Sequence, residues 1–137
     1  MKSGTGTIRR MWRRLALLAL AAALASVVVA SGAAAEGEVV LPALSAEAQL
    51  GEAAYGVYCA ECHGVNAAGT DQGPTFLHRV YHPGHHADQS FLIAALRGAR
   101  QHHWRFGDMK PVPGVDPATV ELIVRYVREL QKANGVF

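Results

Sequence analysis

The chain has 137 residues, with 13 Lys and Arg against 11 Asp and Glu, a formal net charge of +2, and two cysteines. That length admits one small domain, and two cysteines cannot complete a four-thiolate zinc site. Five of the 13 basic residues lie in the first 35, so from Glu36 onward 8 bases face all 11 acids, a formal −3, a balance that excludes a nucleic-acid surface.

Chain order begins with a leader. Lys2, Arg9, Arg10, Arg13 and Arg14 form a cationic head, Leu15 to Ala30 is almost wholly apolar, and Ala33-Ala34-Ala35 offers small residues for cleavage. These are the three parts of a secretory signal peptide, and cutting after Ala35 leaves Glu36 to Phe137, 102 residues. The competing reading is an uncleaved anchor: Leu15 to Ala35 is 21 residues, near the roughly 20 that span a bilayer. Its alanine content weakens it as a permanent span and favours cleavage. The expected location is periplasmic or otherwise exported, with membrane association only if residues 1–35 are retained.

After an extended lead-in over Val39 to Leu44, in which Pro42 blocks early helix, Ser45 reads as the N-cap of a helix running to about Tyr58. Leu50, Tyr55 and Tyr58 offer it apolar surface. Gly64 turns the chain, and 66–74 reads as loop. A second helix is expected from an Asp88 N-cap to Gly98, with Phe91, Leu92, Ala95 and Leu96 at three-to-four spacing. Gln101 to Val115 is loop again. Asp116-Pro117 then opens the clearest helix, with Val120, Ile123, Val124, Val127 and Leu130 as its buried stripe and Asn134-Gly135 as its end. No strand-like alternation occurs, so the fold class is all-α: three to four short helices.

Between the first helix and its turn stands Cys59-Ala60-Glu61-Cys62-His63. The two thiols are placed to add across the vinyl groups of one haem, and the adjacent imidazole to reach its iron. A lone Cys-x-x-Cys also suits a redox dithiol or half a zinc site. The immediate histidine, the lack of a second cysteine pair and the absence of a βαβ pattern argue against both. A domain of about 100 residues is marginal on its own core, and an enclosed covalent haem c, one per chain, would complete it. Past the leader Met109 is the only methionine, and its Gly-Asp-Met-Lys-Pro loop is poorly placed for core packing. Its thioether is the candidate second axial ligand, which favours ferrous iron.

Over most of residues 45–134 the chain resembles a class I (monohaem) cytochrome c. The resemblance rests on Cys59-x-x-Cys62-His63-Gly64, Gly73-Pro74, Met109-Lys110-Pro111 and the closing amphipathic helix. It implies that Pro74 offers its carbonyl to the second ring nitrogen of His63, fixing the tautomer. It also implies that the first and last helices cross where Gly51 and Tyr55 meet Ile123 and Tyr126. It implies an electron carrier rather than an enzyme, working between redox protein partners that include membrane-bound oxidoreductases. The lysine ring on which that family docks is not evident, because only Lys110 and Lys132 remain past the leader.

Trp104 and Arg105 suit contact with haem propionates, and Trp104 suits core packing equally. Six further histidines crowd the middle: His78, His82, His85, His86, His102 and His103. All but His78 form a candidate second metal set, since imidazole suits copper, zinc and nickel. Spacing argues against one shared site, because the helix between the two His-His pairs spans roughly 16 Å and both pairs would have to fold back. Two alternative functions stay open: a haem sensor with a vacant sixth position, and a metal-handling protein that binds copper through these histidines.

Overall fold

Two capping side chains define the helices that frame the fold, and both are the residues the sequence designates. The structure, a computed structural model, describes residues 38–137; the leader read at 1–35 lies outside the described residues. Ser45 Oγ accepts from the Ala48 amide at 3.2 Å and opens α1, Ala46–Tyr58. Asp116 accepts from Thr119 at 3.0 Å, with Pro117 in the first turn, and opens α4, Pro117–Ala133. Between them lie the single turn α2, Ala60–His63, and α3, Asp88–Arg97, together with 3-10 turns at Val65–Ala67 and Arg79–Tyr81. Among the described residues there is no strand, only an isolated antiparallel bridge between Ala99 and Met109. No helix among them is long and apolar enough to cross a membrane. The all-α expectation holds.

Helix α1 packs principally across α4. Ala48, Gly51 and Tyr55 form its buried stripe, a spacing of three and four that brings small residues to one face. Leu50, expected there, is 61% exposed, because a one-position offset swings a side chain about 100° round the helix. The α4 stripe is as expected, with Tyr126 and Gln131 added to it. Each fully buried aliphatic side chain there contributes about 2 kcal/mol. The lead-in is tethered at its far end: the Asn134 amide pairs with both backbone groups of Val40, each at 2.9 Å.

Helix α3 starts one residue earlier than its expected Asp88 cap implies. Ala87 occupies the N-cap position without a side-chain bond, and the Asp88 carboxylate instead receives Arg128 Nε at 2.7 Å. Arg128 also donates to the carbonyls of Tyr81 and His86 and to Gln131 Oε1, and its guanidinium lies 4.9 Å from the Phe91 ring centre. One half-buried cation thus ties α4 to α3 and to the loop between Tyr81 and Asp88. Nothing in the hydrophobic periodicity marks that role.

Candidate functional site

Cys59 interrupts helical geometry (φ −128°, ψ −33°) between α1 and α2, and Gly64 (φ 76°) turns the chain away directly after His63. The pentapeptide is therefore a single helical turn pinned at both ends. Tyr55 donates its buried hydroxyl to the Gly64 carbonyl at 2.8 Å, Thr70 Oγ1 donates to the Cys62 carbonyl at 2.6 Å, and the Gly69 amide bonds the His63 carbonyl at 2.7 Å. Burial pushes the Tyr55 phenol far above its usual range.

His63 is 7% exposed, and its Nδ1 lies 2.9 Å from the Pro74 carbonyl. A carbonyl only accepts, so Nδ1 carries the proton and Nε2 keeps its lone pair. Burial holds the His63 pKa below the ordinary imidazole value, opposed by the Pro74 bond. Phe76 stacks on the ring at a centroid separation of 4.2 Å and fixes its plane.

His63 forms part of the wall of a cavity of about 650 Å³, shared with Cys59, Phe76, Trp104, Met109 and Ile123. Most of the wall is apolar, and that volume lies within the range of small-molecule and cofactor sites, roughly 300–1,000 Å³. Burial, with Cys62 adding to it, pushes the Cys59 thiol up to about 11. Cys62 is exposed and lies off this wall.

Met109 reaches the cavity from a loop that is more ordered than its glycines and prolines suggest. Ala99 and Met109 exchange both backbone bonds, at 3.0 and 2.8 Å, closing the loop into a tight bridge. Gly98 (φ 80°) is required beside it, since a Cβ there would come within 3.1 Å of the Pro111 ring while needing left-handed backbone. Inside the loop, Asp108 accepts from the Gln101 amide and Gln101 Oε1 from the Gly107 amide, at 2.8 and 2.7 Å.

Trp104 lines the cavity, and its indole N–H is buried and unpaired. The Tyr81 phenol is its neighbour, but the two make no hydrogen bond. Arg105 is exposed and off the cavity wall, whereas Arg100 and Gln101 are on it. Sequence reading missed both; their proximity to the Gly98 turn is the signal that could have found them.

The expectation that the two His-His pairs stay apart is overturned. His85 Nε2 lies 3.1 Å from His103 Nε2, and His86 Nε2 lies 3.4 Å from His102 Nε2. The physical reason is the Gly98 turn and the Ala99–Met109 bridge, which fold the second pair back along α3. His82 stays apart from the group: its Nδ1 accepts from the Gly84 amide at 2.9 Å. His78 likewise caps a 3-10 turn, accepting from Val80.

Compared with known proteins, the chain matches the model of the family described as cytochrome c over residues 48–131. No curated protein and no solved structure matches it.

Proposed function

The chain belongs to the cytochrome c family, and on that footing we propose that it is an exported carrier of single electrons, with its iron held between His63 and Met109. The family holds haem c covalently through its Cys-x-x-Cys-His motif and works in haem-based electron transfer among redox proteins. A bound haem supplies an iron that cycles between ferrous and ferric states.

The residues present fit that group. Cys59 stands on the cavity wall, and Cys62 follows three residues later on the same helical turn. The unpaired Trp104 N–H is a donor awaiting an acceptor, and Arg100 on the same wall is a cation for a carboxylate; together they suit propionates in place of the expected Trp104–Arg105 pair. The observation that carries the reading is the convergence of Cys59, His63 and Met109 on one mostly apolar cavity.

Each residue then has a task of its own. Pro74 and Phe76 hold His63 in one tautomer and one plane, leaving Nε2 free to donate. Met109 supplies a soft, neutral donor that favours the reduced state. Phe76, Ile123 and Val124 exclude water. Phe106 and Ile93, 44% and 46% exposed at the cavity rim, offer an apolar docking face. The formal −3 from Glu36 onward suits a basic partner rather than an acidic one.

An optical spectrum of the exported protein tests this. The expected result is a c-type spectrum, a far-red band from sulfur bound to ferric iron, and no carbon monoxide uptake by the reduced protein at neutral pH. Pigment that washes out in acid-acetone rejects covalent attachment, and ready carbon monoxide binding replaces the carrier with a ligand-binding module.

A further inference from the structure

Four imidazoles meet at the edge of the cavity with no role in the electron-carrier reading. His85 and His86 precede α3, and His102 and His103 lie in the loop closed by the Ala99–Met109 bridge. The ligand nitrogens of His85, His86 and His103 all lie within 4.8 Å of one another. His102 stands beside that triad, its Nε2 3.4 Å from that of His86.

Tautomers decide what this group can do. His86 Nδ1 lies 2.7 Å from the Val80 carbonyl, and His102 Nδ1 lies 2.7 Å from the Arg100 carbonyl. Carbonyl oxygens only accept, so each neutral ring carries its proton on Nδ1 and presents a bare lone pair at Nε2. Those two lone pairs face each other. As neutral rings they cannot hydrogen-bond to each other, and a proton or a metal cation near His86 relieves the opposition. A backbone carbonyl on the far nitrogen is also how metal-ligating histidines are oriented.

Spacing agrees. Imidazole nitrogens bound at roughly 2.0–2.1 Å stand about 3.3–3.4 Å apart around a tetrahedral ion and about 2.9 Å apart as neighbours in a square plane. His85 and His103 stand 3.1 Å apart, between those two values, and all three nitrogens of the triad lie within 4.8 Å of one another. The scaffold is set beforehand: Arg128 holds the His86 carbonyl from α4, and Asp108 holds the Gln101 amide beside His102.

We propose that His85, His86 and His103 form a binding site for a divalent first-row transition metal, separate from the haem, with His102 standing beside it against His86. An all-imidazole set with neither thiolate nor carboxylate follows the usual order of divalent affinities, in which copper(II) stands highest. His82 is not a ligand, since its Nδ1 is engaged at Gly84. All three ligands also line the haem cavity, so the bound cation sits on that cavity's wall.

The test is titration of the haem-loaded protein with copper(II) in a weakly chelating buffer, followed by calorimetry and electron paramagnetic resonance. One equivalent should bind, with hyperfine structure from several nitrogens. Changing both His85 and His103 to alanine removes two exposed rings whose side chains hold no backbone group, so the fold, checked by circular dichroism, stays intact. That double variant should lose affinity by at least about 100-fold, while His82→Ala binds as the parent does. No saturable equivalent, or undiminished affinity in the double variant, overturns the site. Haem content is read from the absorbance of the same samples, so failure here leaves the electron-carrier reading standing.

Discussion

Gly51 of α1 lies directly against the backbone carbonyl of Leu122 on α4: a Cβ at Gly51 would come within 2.6 Å of the carbonyl carbon and 3.1 Å of Tyr126 Cβ. Backbone cannot rotate out of the way as a side chain can. Alanine at 51 gains about 1 kcal/mol of helix propensity, yet prying the helices apart costs about 3 kcal/mol. Gly51→Ala is therefore expected to destabilise the fold by about 2 kcal/mol. Gly56 sits on the same helix with nothing within 4 Å of its notional Cβ. Gly56→Ala should stabilise the protein by up to about 1 kcal/mol. Denaturant titration of both variants checks the opposite signs.

Acid should loosen the second contact between these helices. The Glu129 carboxylate accepts from the Ser45 amide at 3.0 Å and its hydroxyl at 2.7 Å, and these bonds hold its pKa below the usual 4.5. A depressed carboxylate pKa means the unfolded chain binds the proton first, so this stability is present above pH 4.5 and is lost as pH falls through the folded pKa. Glu129→Gln should cost about 1 kcal/mol at neutral pH. It should also flatten the decline in stability below pH 4.5. Parallel acid-side stability profiles in the two proteins would refute the linkage.

Met109→Ala should lower the reduction potential by on the order of 0.1–0.2 V, a fraction of the roughly 0.8 V that axial ligation spans. The backbone bridge to Ala99 does not depend on the side chain, so the loop stays closed. Reduced protein should then take up carbon monoxide, and the far-red band should vanish. An unaltered spectrum in this variant rejects Met109 as a ligand.

Trp104→Phe keeps an aromatic ring against His78, 4.9 Å away between centroids, and removes the unpaired N–H together with part of the indole's bulk. Loss of one charge-assisted donor is worth about 1.5–3 kcal/mol, so the propionate pKa should rise by about one to two units. Potentiometry across pH reads this as an upward move of the inflection. If the inflection stays in place, Trp104 is packing alone.

Much of this was legible in the residue order because the deciding interactions are local. Ser45 and Asp116 bond amides three residues away, and Gly64, Gly98 and Gly135 sit where the backbone turns left-handed. Chemistry carried by side-chain type was legible too: Cys59, Cys62 and His63 are informative wherever they fold. Periodicity located the α4 stripe, because seventeen residues give the pattern time to declare itself. On α1, Ala48 and Gly51 share the packing with Tyr55, so scanning for large apolar residues found Tyr55 but also pointed to Leu50, which faces solvent.

What the chain determined alone was therefore its main helices, the caps of α1 and α4 and a haem-binding motif, all set by contacts within a few residues. Only tertiary structure decided which side chains from distant loops share a space. The two histidine pairs look a helix-length apart in sequence, yet one left-handed glycine and one backbone bridge bring them to 3.1 and 3.4 Å. Arg128 fixes the facing loop by bonding carbonyls more than forty residues away. Such placements depend on chain direction after a turn, a small change in φ that moves everything downstream, and no local pattern of residues encodes where that downstream chain arrives.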